Sequence, residues 1–139
     1  MQIGVETSKV VENKRVFVVD RDEITRVALQ FMLHDENETH EFTDLDSALR
    51  KAGQLRPDLV ILGAVPEPVS GPSPIARLKT DIAELKVLVV VEAGAADDAM
   101  LRPGGADGVL HKPLMIERTR KAVDVVLGRR RTTIAIRPI

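Results

Sequence analysis

Pro57-Asp58-Leu59-Val60-Ile61-Leu62-Gly63-Ala64-Val65-Pro66-Glu67-Pro68-Val69-Ser70-Gly71 is the stretch whose reading decides the fold. The aliphatic run Leu59 to Leu62 stops at Gly63 and opens into a loop rich in proline and glycine. A short apolar run bounded in this way suits a strand buried on both faces of a parallel sheet. In open α/β sheets the functional crevice lies just beyond the carboxyl ends of such strands. A chemical group is therefore expected at position 63, and glycine supplies none.

The same grammar repeats on either side. Arg15 to Asp20 is an aliphatic strand ending in a carboxylate, and Ile24, Val27, Ala28 and Phe31 then fall at helical spacing behind Asp22 and Glu23. Thr39 to Phe42 is a short polar strand, expected near a sheet edge. Asp44 reads as the N-cap of a helix with the apolar stripe Leu45, Ala48, Leu49, Ala52, ended by Gly53 and Pro57. Ser73-Pro74 reads as an N-cap with proline at the first helical position, before Ile75, Leu78 and Ile82. Lys86 to Val91 is a strand ending at Glu92, and Ala95 to Leu101 makes at most a short helix before Pro103-Gly104-Gly105. Gly108 to His111 is a strand followed by Lys112-Pro113. Ile116 to Leu127 is a helix with Ile116, Val123 and Leu127 inward, stopped by Gly128. Strands alternating with helices imply right-handed crossovers, hence one parallel sheet with helices on both faces. Residues 1–13 read as a flexible leader, 14–128 as the domain and 129–139 as a basic tail.

Composition narrows the classes. At 139 residues with 44% hydrophobic content, the chain suits one domain with its own core, and the net charge of −1 gives no field favouring nucleic acid or membrane. No cysteine is present, so disulfides and thiol chemistry are excluded. No apolar run approaches the ~18 residues of a membrane span, and no secretory leader is evident, so a cytoplasmic protein is expected. Three phenylalanines are the only aromatic residues of the Phe, Trp and Tyr set, which argues against stacking platforms.

Four places now come together: Val18-Val19-Asp20, Pro57-Asp58-Leu59-Val60-Ile61-Leu62, Gly105-Ala106-Asp107-Gly108 and Lys112-Pro113. In this order the sequence resembles the CheY-like receiver domain of two-component response regulators. The resemblance implies a flavodoxin-like (βα)5 three-layer sandwich with a five-stranded parallel sheet in order 2-1-3-4-5, here with a shortened fourth helix. It also implies a pocket in which two acids after the first strand and an aspartate ending the third hold Mg²⁺, with that aspartate accepting a phosphoryl group. A hydroxyl residue and a lysine then bind its oxygens. Asp20 and Lys112 match their positions. The second acid falls on Arg21, or on Asp22 if the register slips; the phosphoacceptor falls on Gly63, the hydroxyl on Glu92 and the aromatic switch on Val109.

The pocket implied by the resemblance is thus degenerate. One arrangement closes it with its own charges, Asp20 and Glu92 against Arg21 and Lys112; in the other, Arg21 faces solvent. Asp20 and Asp22, with Glu67 or Glu92, are weak candidates for a divalent ion, and no cofactor is expected. His34, His40 and His111 share no ligand spacing, Gly104-Gly105 reads as a helix stop, and no catalytic constellation is legible. Val65, Pro66 and Pro68 in the central loop, and Arg129, Arg130 and Arg131 in the tail, are candidate partner contacts. Thr132 to Ile136 alternates like an edge strand able to join a partner or a second copy. The expectation is a stand-alone pseudo-receiver, not an enzyme, acting in bacterial signalling as a phosphorylation-independent module that docks a kinase, an output protein or itself. The alternatives are a ligand- or ion-sensing crevice, and nucleic-acid binding or self-association through the tail.

Overall fold

A computed structural model describes residues 7–10, 13–66, 70–94, 105–129 and 132–135. In chain order the elements are β1 (Thr7–Val10), β2 (Lys14–Val19), α1 (Glu23–Leu33), β3 (Asn37–Phe42), α2 (Leu45–Ala52), β4 (Leu59–Leu62), α3 (Pro74–Asp81), β5 (Lys86–Val91), β6 (Gly108–His111), α4 (Ile116–Leu127) and β7 (Thr132–Ala135). The expected short helix at 95–101 lies outside the described residues.

Five parallel strands form one sheet in the order β3-β2-β4-β5-β6, which is the expected 2-1-3-4-5 arrangement counted from Lys14. Successive strand side chains point to opposite faces, so each central strand feeds two cores. Val16, Val18, Leu59, Ile61, Leu88 and Val90 pack with Leu29 and Leu33 of α1 and Val123 of α4. Phe17, Val19, Val60, Leu62 and Val87 pack on the other face with Leu45 and Ala48 of α2 and Leu78 of α3. Burial on both sides is why these strands read as continuous aliphatic runs and not as alternating ones. The polar β3 sits at the edge, where Glu38 pairs with Arg15 of its neighbour.

Caps fall where the side chains dictate. Asp22 accepts from the Thr25 N–H, Asp44 from the Ser47 N–H and Ser73 from the Ala76 N–H, with Pro74 opening α3. Gly128 ends α4 at φ 65°, a left-handed conformation that glycine takes without a Cβ penalty.

The structure corrects the sequence reading in four places. The apolar spacing that marks α1 does not mark its buried face: Thr25, Leu29 and Leu33 are buried, whereas Ile24, Val27 and Phe31 face outward. Ile116 at the start of α4 is exposed as well, and Thr119 is buried alongside the expected Val123. Arg129 is no surface cation. Its guanidinium donates to Asp124 Oδ1 at 2.9 Å and to Asn37 Oδ1 at 2.7 Å, both buried contacts. Finally, within the segments read as leader and tail, β1 and β7 pair with each other antiparallel, Thr7 with Ala135 through Val10 with Thr132. The backbone groups that a tail strand would offer a partner are engaged on that side within the chain.

Arg129 follows directly on Gly128 and ties the end of α4 to the start of β3. Removing one member of a buried ion pair strands the other, at a cost of about 3–5 kcal/mol. Arg129→Ala is expected to lower unfolding stability by that order in urea titration, far more than loss of an exposed arginine such as Arg50.

Candidate functional site

The parallel ladder brings the carboxyl ends of β2 and β4 to one level. The Gly63 N–H donates to Val19 O at 2.8 Å, and the Arg21 N–H donates to Ala64 O at 2.9 Å. Lys112 is aligned two strands beyond β4, at the end of β6, its N–H donating to Val91 O of β5 at 2.8 Å. Asp20, Gly63, Glu92 and Lys112 therefore all stand at the carboxyl edge of one sheet, as the sequence implies.

Asp20 is buried, and its carboxylate has taken the space that a side chain at 63 would need. A Cβ built on Gly63 would meet Asp20 Oδ2 at 1.9 Å and Asp20 Cγ at 2.7 Å. The other oxygen, Oδ1, accepts from the Asp22 N–H at 2.8 Å, which fixes the rotamer. Arg26, a residue the sequence reading passed over, donates to Asp20 O at 2.8 Å and reaches Glu41 of β3 at 3.6 Å. It buttresses the end of β2 from the edge-strand side.

The remaining candidates divide. Lys112 Nζ lies 3.1 Å from Glu92 Oε2, so these two charges pair as expected. Arg21 is exposed, and its side chain makes no ion pair among the described residues. Of the two arrangements left open by the sequence, the charge-closed pocket is half realised: the Glu92–Lys112 pair forms, and the crevice is filled by Asp20 and not by Arg21. Val109 sits half-buried in β6 opposite Val89. Val65 is not a free loop residue; it packs against the α2–α3 core, and with Pro66 it borders a cleft of about 250 Å³ beside Asp44, Asp46 and Arg77. Pro68, Glu67, Arg130 and Arg131 lie outside the described residues.

A Mg²⁺ ion needs several hard oxygen ligands in near-octahedral array. Asp22 spends one carboxylate oxygen on the Thr25 hydroxyl at 2.7 Å and the Thr25 N–H at 3.3 Å. One Asp20 oxygen is engaged by the Asp22 N–H, and Gly63 contributes no side-chain ligand. The residues present do not fit the metal, and no cluster of three metal-ligating side chains occurs among the described residues.

A sequence model described as Response regulator receiver domain matches residues 16–124. The chain belongs to this family. The receiver domain of NtrX from Brucella abortus is similar at 25% identity and TM-score 0.72, covering 81% of this chain and 98% of that one. NtrX from Brucella abortus in complex with ATP superposes with TM-score 0.74 at 25% identity, over 84% of this chain but 27% of the other. This receiver chain thus spans about a quarter of that NtrX chain. A putative response regulator from Chloroflexus aurantiacus J-10-fl, 20% identical, shares the fold with TM-score 0.72 over 85% of this chain and 100% of its own. No curated protein sequence matches. Membership makes this a receiver domain of two-component signalling, and none of its helices among the described residues is long and apolar enough to cross a membrane.

Two outcomes test this geometry. Gly63→Ala is expected to cost about 1–3 kcal/mol in chemical denaturation, as overpacking does, and Asp20→Ala in the same chain is expected to recover most of it. The Thr25 hydroxyl and amide hold the Asp22 carboxyl below its ordinary pKa. A group whose folded pKa is depressed stabilises fully above its unfolded value, about 4, and loses that contribution as pH falls through the lowered folded value. Thermal melts across this acidic window are expected to decline less steeply in Asp22→Asn, which keeps a capping oxygen without the titration.

Proposed function

We propose that this receiver domain takes no phosphoryl group at the end of β4 and acts in two-component signalling as a phosphorylation-independent protein-interaction module. The observation that carries the reading is the Asp20 carboxylate seated over Gly63. An aspartyl phosphate requires a carboxylate nucleophile, and here the acceptor position has no side chain while its space is already filled. Lys112, which would neutralise such a group, faces the largely exposed Glu92 instead.

A ligand shifts a conformational equilibrium only through different affinity for the two states. A phosphoryl group without a site has none, so the crevice stays in one arrangement whatever the phosphorylation state of an upstream kinase. What the domain then offers a partner is a fixed surface, and enzymatic activity forms no part of this reading. Use of Arg129 inside the fold weakens the nucleic-acid alternative, because it removes one of the three tail arginines from the surface.

Incubation with acetyl phosphate and Mg²⁺ is expected to add no phosphate by intact mass, and beryllofluoride with Mg²⁺ is expected to leave amide spectra unmoved. Saturable shifts around Asp20 and Lys112 would sink the reading. Gly63→Asp alone is expected to remain unphosphorylated as well, since Asp20 crowds the new side chain.

A further inference from the structure

The outward side of α1 carries a feature that neither folding nor the crevice uses. Ile24, Val27 and Phe31 are 80%, 53% and 68% exposed, on the side of the helix away from Thr25, Leu29 and Leu33. Residues three and four apart are neighbours on a helix surface, so these side chains form one stripe about 10 Å long at 1.5 Å per residue. Apolar residues scattered singly on a surface are ordinary; a contiguous patch marks association.

The charges bordering the stripe indicate what covers it. Exposed Arg21 precedes the helix, and Asp35, with a side chain 64% exposed, follows it. Asp35 lies 3.1 Å from His34 and 3.6 Å from Arg120 of its own chain, yet keeps most of its surface open. If a second copy lies antiparallel on the stripe, Phe31 meets the partner's Ile24, and Val27 sits beside the two-fold axis. Arg21 then comes opposite Asp35 at each end. A parallel pair would instead set each charge against its own copy.

We propose that the protein self-associates through α1 as an antiparallel, two-fold pair centred on Val27. The same patch on both copies makes the contact isologous, which closes at two subunits. The stripe is much smaller than a standard interface of about 800 Å² per partner, so the dimer forms at high protein concentration and exchanges readily.

Sedimentation of the full chain over a wide concentration range is expected to show monomer passing to dimer. Val27→Asp sets two carboxylates across the axis and is expected to weaken dimerisation at least ~10-fold, with an unchanged thermal midpoint because Val27 is outside the core. Val125→Asp on the outward side of α4, 70% exposed, serves as the control and is expected to change nothing. Because the chain has no cysteine, single cysteines report the geometry. Val27→Cys is expected to cross-link with itself on mild oxidation, and Ile24→Cys with Phe31→Cys in a mixture. Self-cross-linking of Ile24→Cys in preference to that mixed pair overturns the antiparallel order. A chain that stays monomeric throughout, a dimer indifferent to Val27→Asp, or use of the stripe by an unrelated helical partner alone each overturns the proposal.

Discussion

The in-register pairing of β2 with β4 is the constraint on which the rest of the molecule depends. Val16 to Val19 lie against Leu59 to Leu62, and all of these side chains are buried. Any slip by one residue would turn each of them to the opposite core, exchanging the α1–α4 side for the α2–α3 side. Held in this register, Asp20 and Gly63 finish at the same level with only a backbone hydrogen bond beneath them. Two side chains of carboxylate size cannot both occupy the space in the rotamer Asp20 adopts. The glycine and the inward carboxylate are one packing solution.

Other devices hold that solution in place. The Asp22 N–H fixes one oxygen of Asp20, and Asp22 in turn caps α1 through Thr25. Arg26, one turn into the helix, returns to Asp20 O. The start of α1 is thereby fastened to the end of β2 by hydrogen bonds that do not involve metal or phosphate. In a low-dielectric crevice such satisfied polar groups rigidify their surroundings. At the opposite end of the sheet, Asp107 plays a similar part: its carboxylate accepts from the Val87 N–H at 2.8 Å and meets Lys79 at 2.8 Å, joining β5, α3 and the turn into β6. Burial opposes ionisation of Asp107 most strongly, but the Lys79 contact, the Val87 N–H and the Lys86 charge together outweigh it and keep the carboxyl below its ordinary range.

What the sequence made legible follows from how local each signal is. The strands were readable because burial on both faces requires uninterrupted aliphatic runs, and the caps at Asp44 and Ser73-Pro74 because a cap is decided within four residues. The buried face of α1 was not, since Leu29 and Leu33 form one apolar stripe and Ile24, Val27 and Phe31 another. Helical period alone cannot choose between two such stripes; the sheet chooses. Arg129 was hidden in a run of three arginines, although Asp124 just across the helix-ending Gly128 was a usable sign that one of them turns back. The occupant of the crevice was also illegible. Four charges could be assigned to the carboxyl edge, but whether Arg21 or Asp20 closed it depended on a side-chain rotamer fixed by the Asp22 amide.

The two apolar stripes of α1 also separate stability from function in an informative way. Leu29 and Leu33 lose all or nearly all of their exposed surface on folding and so contribute to the folded state, at roughly 1.5–3 kcal/mol for each such side chain. Phe31 and Ile24 gain little from folding, and exposed apolar surface carries a standing risk of indiscriminate association. Charges set around the stripe reduce that risk selectively, because like charges penalise wrong pairings more than complementary ones strengthen the right one. Arg21 fits this role better than a metal substitute. Its amide holds the loop to Ala64 while its side chain is left in solvent at the head of the stripe. The position that the receiver resemblance gives to the second acid, unless the register slips to Asp22, here carries a side chain that faces solvent.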